Sequence, residues 1–77
     1  MDLKVGEKIN MKSPDSQIAI VSCHVEAIVH DPKGKSKEEN MIVYRYWSKY
    51  RQRWFWKVHP YWILAMYNNW ECEYIKQ

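Results

Sequence analysis

A run of twenty residues, Met41 to Pro60 (MIVYRYWSKYRQRWFWKVHP), restricts the fold more than any other part of this chain. It holds seven aromatic side chains: Tyr44, Tyr46, Trp47, Tyr50, Trp54, Phe55 and Trp56. It also holds Arg45, Lys49, Arg51, Arg53 and Lys57, and no Asp or Glu. Aromatic and β-branched residues suit a pleated, half-buried surface, and neither glycine nor proline interrupts the run before Pro60. Two strands joined by a short basic loop are expected. Pairing Ser48 with Gln52 across the loop Lys49-Tyr50-Arg51 sets Ile42, Tyr44 and Tyr46 opposite Val58, Trp56 and Trp54. One face is then uniformly apolar, with Tyr44, Tyr46, Trp54, Trp56 and Val58 as core. The reverse face carries Val43, Arg45, Trp47, Arg53, Phe55 and Lys57. A slip of one residue would mix the two sets, since side chains alternate with period two. Three-residue hairpin loops favour a glycine that this one lacks, so a longer loop stays open.

The remainder of the chain supports a small, mainly β domain. Its 77 residues make one domain, 1–77, whose core must be dense to be stable; five Trp, six Tyr and one Phe supply that density. KVGEKINM, ahead of Ser13-Pro14-Asp15-Ser16, reads as a first strand at about Glu7–Lys12 followed by a turn. Ile18 to His30 alternates over a long stretch, with Ala19, Val21, Cys23, Val25, Ala27 and Val29 on one face. A strand of that length is expected to bend. Asp31 to Glu39 is a polar loop and should be the most mobile part. Pro60 ends the last hairpin strand, Tyr61 to Tyr67 fits a turn of helix, and Asn68-Asn69 fits a left-handed turn. Trp70 to Ile75 alternates again and is expected to form a closing strand.

Strand, turn, long strand, loop, hairpin, helical turn and strand is the order of a five-stranded SH3-like barrel with a helical turn before the last strand. The segment FWKVHPYWILAMY resembles the fourth strand and helical turn of small SH3-like barrels, with Trp56, Val58, Pro60, Leu64 and Tyr67 at matching places. The opening KVGEKINMKSP is similar to their first strand and turn. MIVYRYW followed by WKVHPYWILAM looks like small SH3-like proteins of unknown function from bacteria and their phages. The resemblance implies a fold and no chemistry. The aromatic and basic hairpin at 44–57 is where this chain departs from those proteins.

Catalysis has little support. Three His and two Cys are the obvious bases and nucleophiles, no CxxC or HxxxH spacing occurs, and two glycines form no phosphate loop. On an extended strand His24 and His30 would stand about 20 Å apart, too far for one metal. Cys23 on the apolar face reads as core. No enzyme, metal or cofactor is expected. Nor is a signal peptide or membrane span, so a cytoplasmic protein is expected.

Binding is better supported. Twelve Lys and Arg against nine Asp and Glu give a net charge of only +3, but every charged residue between Glu39 and Glu71 is basic. The residues free to bind in the expected register are Arg45, Trp47, Lys49, Tyr50, Arg51, Arg53, Phe55 and Lys57. Cations attract phosphate and exposed rings stack on unpaired bases, which makes nucleic acid the preferred partner. A larger protein is the alternative, because Trp, Tyr and Arg dominate interface hot spots. That partner would be a proline-rich peptide or a host protein inhibited by a phage-encoded module. Homodimerisation through the same aromatic face is a third option.

Overall fold

The computed structural model of the chain describes residues 3–34 and 36–70, apart from the side chains at 16–18. Four antiparallel strands, β1 (Lys8–Ser13), β2 (Ser16–Val29), β3 (Met41–Ser48) and β4 (Arg53–Pro60), form one sheet in the order β1-β2-β3-β4. A helix, α1 (Tyr61–Asn68), follows β4 directly. The expectation of a closed five-stranded barrel is therefore corrected. Among the described residues β1 and β4 are the two free edges of an open sheet, and no ladder joins them. The closing strand expected from Trp70 lies outside the described residues except for Trp70 itself.

One face of the sheet is the core. Ile9 and Met11 of β1, Cys23 and Val25 of β2, and Ile42, Tyr44 and Tyr46 of β3 are buried there against Tyr61, Leu64 and Ala65 of α1. Pro60 sits at the helix N-cap, where a residue with no N–H and a fixed φ starts a helix at no cost. The helix runs for eight residues rather than a single turn. Asn69 ends it in the left-handed region (φ 58°, ψ 37°), the conformation expected for this asparagine pair. Asn68 ties α1 to β1: its Oδ1 accepts the Lys12 N–H at 2.9 Å while its Nδ2 donates to the Leu64 carbonyl at 2.8 Å. The polar loop after β2 is less open than expected, because it contains a 3₁₀ turn, Lys37–Glu39, in which Glu38 is buried.

Two irregularities decide which side chains reach the core. In β2 the ladder to β3 shifts between Val25 and Ala27, so Glu26 is an extra residue. This bulge is the bend that the strand's length implied, and it reverses the facing of the residues beyond it. There Ala27 lies opposite Val43, and Ile28, not Ala27 or Val29, packs toward the core.

The second irregularity is the β3–β4 register. Ser48 pairs with Arg53, so the loop has four residues, Lys49 to Gln52. Gln52 adopts φ 52°, and its N–H donates to the Ser48 carbonyl at 2.7 Å. The Ser48 Oγ accepts the Arg51 N–H at 3.2 Å. A non-glycine residue in the left-handed region thus closes the loop without the glycine that a three-residue loop wants. The expected Ser48–Gln52 register is off by one, and every side chain of β4 changes face. Trp54, Trp56 and Val58 leave the core, whereas Arg53, Phe55, Lys57 and His59 turn toward it.

Asp15, in the β1–β2 turn, joins that hairpin to the other one. Its carboxylate accepts a hydrogen bond from the Tyr46 hydroxyl and lies 3.7 Å from the Lys57 Nζ. The Tyr46 hydrogen bond, with smaller help from Lys57 and Arg51 and against some desolvation, holds the Asp15 carboxyl below its ordinary pKa of 3.8.

Two outcomes are expected from stability measurements. In urea denaturation Leu64→Ala should cost about 2–5 kcal/mol, the loss for a large aliphatic core residue. Val58→Thr should change stability by no more than about 0.5 kcal/mol, because Val58 lies on the uncovered face. A depressed folded pKa means that Asp15 contributes its full stabilisation above the ordinary carboxylate value and loses it as pH falls through the lower folded value. Asp15→Asn should therefore be less stable than wild type at neutral pH and converge with it in acid.

Candidate functional site

The sheet face opposite α1 has no covering layer among the described residues. Its composition is set by the register. Rows run across the strands: Lys8, His24, Arg45 and Trp56 in one; Trp47 and Trp54 in the next toward the hairpin tips; Ala27, Val43 and Val58 on the other side. Trp47, Trp54 and Trp56 are 43%, 38% and 59% exposed, and Val58 and Ile20 are also open to solvent. Three tryptophans on one open face of a small domain make a patch of the kind that marks an interaction surface.

The centre of this face is Trp54. Its indole reaches across β3 and covers Arg45, whose guanidinium carbon lies 4.2 Å from the ring centroid. It meets His24 edge-on at 5.1 Å and Trp47 edge-on at 5.6 Å. Trp56, directly opposite Arg45 in the ladder, has its ring centroid 5.9 Å from the same guanidinium. The bulge residue Glu26 fixes the arginine from the third side, with Oε1 accepting from Nε at 2.7 Å. Arg45 thus meets one carboxylate and two indoles at once.

The residues expected to form the site are divided by the register. Arg45 and Trp47 are on the open face. Lys49, Tyr50 and Arg51 form the exposed hairpin tip, with Tyr50 94% exposed. Arg53, Phe55 and Lys57 are on the other side of β4. Phe55 is half-buried and stacks on Tyr46 at 5.9 Å, flanked by the guanidinium carbons of Arg53 at 4.7 Å and Arg51 at 5.4 Å. Lys57 faces Asp15. The open face instead includes Trp54, Trp56, Val58 and His24, of which the first three were expected in the core. The signal for the tryptophans is in the sequence: Trp54 and Trp56 are two apart on a strand and share whichever face Trp47 takes once the loop has four residues.

Other chemistry-bearing groups lie on the core side. The Cys23 thiol is fully buried, which pushes its pKa up to about 12 and makes it inert, in line with its reading as core. Cys72 lies outside the described residues. The Tyr44 hydroxyl is 3.0 Å from His59 Nδ1, beside a cavity of about 110 Å³ between β1, β4 and the end of α1. Burial, aided by Lys57, holds His59 below its ordinary pKa. No helix among the described residues is long and apolar enough to cross a membrane.

Comparison with family models, with curated proteins and with solved structures finds no match to this chain, and nothing in it bears on the likeness to small SH3-like proteins.

The cluster around Arg45 has a measurable signature. In a double-mutant cycle of Glu26→Gln and Arg45→Met, the coupling should be about 0.2–1 kcal/mol, the range of a partly exposed ion pair. Arg45→Met should cost more than Glu26→Gln, because it also removes the cation from both indoles, about 0.5–2 kcal/mol.

Proposed function

We propose that the open sheet face binds single-stranded nucleic acid, with bases stacking on the tryptophans. The observation that carries this reading is the uncovered cluster of Trp47, Trp54 and Trp56, with Arg45, paired to Glu26, against the Trp54 and Trp56 rings. Every base has an aromatic face, so a fixed ring platform takes single strands with little regard to sequence. The charges around the platform suit a polyanion. Lys8 borders it on β1 and Lys49 borders it at the hairpin tip, both exposed. Glu26 is the one described carboxylate placed on the face, and Arg45 already neutralises it. A duplex hides its base faces and gains only from the cations, so the platform favours an unpaired strand. No catalytic role is part of this reading.

A protein partner is the second reading. What favours it is the neutral Arg45–Glu26 pair at the centre of an apolar patch that continues into Val43 and Val58, an anatomy shared with interface hot spots.

The two readings separate in a salt series with short labelled oligonucleotides. Single strands should bind more tightly than duplex of the same sequence, and binding should weaken as salt rises. Trp56→Ala, which alters an exposed ring, should weaken single-strand binding by about 1–3 kcal/mol. Absence of binding at low salt would sink the nucleic-acid reading. Light scattering on the same samples reports whether a second copy occupies the face.

A further inference from the structure

The two hairpins part company toward their tips. The β2–β3 ladder ends at the pair Cys23 and Tyr46. Beyond that pair β2 continues through Ser22, Val21 and Ile20 hydrogen-bonded to β1 alone, and β3 continues through Trp47 and Ser48 hydrogen-bonded to β4 alone. Between the two arms lies a cleft of about 680 Å³, within the usual range of small-molecule pockets.

Its walls differ in chemistry. Val25 donates its N–H to Glu7 of the β1 side and accepts there from Gly6, so the main-chain groups of the odd residues of β2 point toward β1. By strand alternation those of the even residues point the other way. His24 meets Arg45 there, whereas Ser22 and Ile20 have no strand partner on that side among the described residues and turn their N–H and C=O groups to the cleft. The facing wall is aromatic, made by Trp47 and Trp54, with Tyr50 at the rim. Lys8, Lys49 and Arg51 are the basic residues of its lining. Asp15 is the one described acid in the lining, and Tyr46 and Lys57 already engage it. The net charge of the lining is therefore positive, and the cleft offers ring faces together with a strand edge.

We propose that this cleft takes one base of the bound strand and reads its edge. The inference rests on the platform reading above and deepens it. A base carries donors and acceptors in the plane of its ring and a π-face above and below. Both demands are met together here, by the Ser22 and Ile20 main chain and by Trp47 and Trp54. The phosphate of the same nucleotide is met by Lys49, the exposed lysine of the lining beside Trp47. The tryptophan row supplies affinity without sequence preference, and the cleft supplies the preference.

The test compares homopolymers of the four bases, labelled and equally short, binding to the whole chain at low salt. One of them should bind about ten-fold or more above the weakest, the scale of a base-edge readout. Ser22→Phe places a ring in the cleft at an exposed strand position that favours aromatics, and should bring that ratio to one. Trp56→Ala, outside the cleft, should weaken all four and leave the ratio in place. A second measurement needs no variant. The nucleoside monophosphate of the preferred base, titrated into isotope-labelled protein, should move the amide resonances of Ile20, Ser22 and Trp47. Wild type binding all four homopolymers equally, a ratio that survives Ser22→Phe in a folded variant, or shifts confined to other residues would each overturn the cleft and leave the platform standing. No binding of any homopolymer would overturn both.

Discussion

A four-residue loop between Ser48 and Arg53 fixes the destiny of every side chain in β4. A strand has no way to adjust its faces once one pair is set, because its side chains alternate strictly. Closing the loop with Gln52 at φ 52° places Trp54 opposite Trp47 and Trp56 opposite Arg45. The same step sends Phe55 to Tyr46 and brings His59 within reach of Tyr44. It also lets Lys57 reach Asp15, so the loop that exposes Trp54 and Trp56 also ties the β1–β2 turn to the second hairpin. The open face and the closed end of the core are two consequences of one constraint.

A bulge in a different strand completes that face. Without an extra residue in β2, Val29 and Ala27 would continue the core stripe of Cys23 and Val25. With Glu26 inserted, the core takes Ile28, and a carboxylate is left beside Arg45. That pairing matters because an arginine beneath aromatic rings is otherwise free to swing into water. Glu26 holds it under Trp54, and Trp54 in turn spans from Arg45 to His24.

Much of the fold is legible in the residues. Alternation over Ile18–His30 and Met41–Ser48 marks the strands, Pro60 marks the junction with the helix, and Asn69 marks its end. Other features are not legible, for identifiable reasons. The hairpin register rests on whether a loop without glycine has three residues or four. Requiring a uniformly apolar face chose three. That criterion fails because tyrosine and phenylalanine already close the core at Tyr44, Tyr46 and Phe55, and the tryptophans are surplus to it. The barrel expectation fails through the same route, since burying Trp54 and Trp56 requires a second layer of strand or a closed cylinder around them. The bulge could be inferred as a bend, but the sequence does not say which residue is extra. Of the candidate site, Arg45, Trp47, Lys49 and Tyr50 stay on the open face or at its tip, whereas Arg53, Phe55 and Lys57 separate from them and the Arg51 guanidinium goes with Phe55.

That separation changes how a polyanion would meet the molecule. A face combining cations and rings in alternation would set phosphates and bases against the same surface. Here the one cation among the open-face indoles is already paired, and the exposed lysines lie at the margins, Lys8 on β1 and Lys49 at the hairpin tip. A single strand has the same division, with phosphates along one side and bases splayed from the other. Laid with its bases on Trp47, Trp54 and Trp56, it runs its backbone past the margins where the unpaired charges stand. The neutral Arg45–Glu26 pair then has a positive role, because an unpaired arginine beneath the rings would draw phosphate onto the surface that the bases need. In the proposed binding mode the margin cations would steer and the rings would hold.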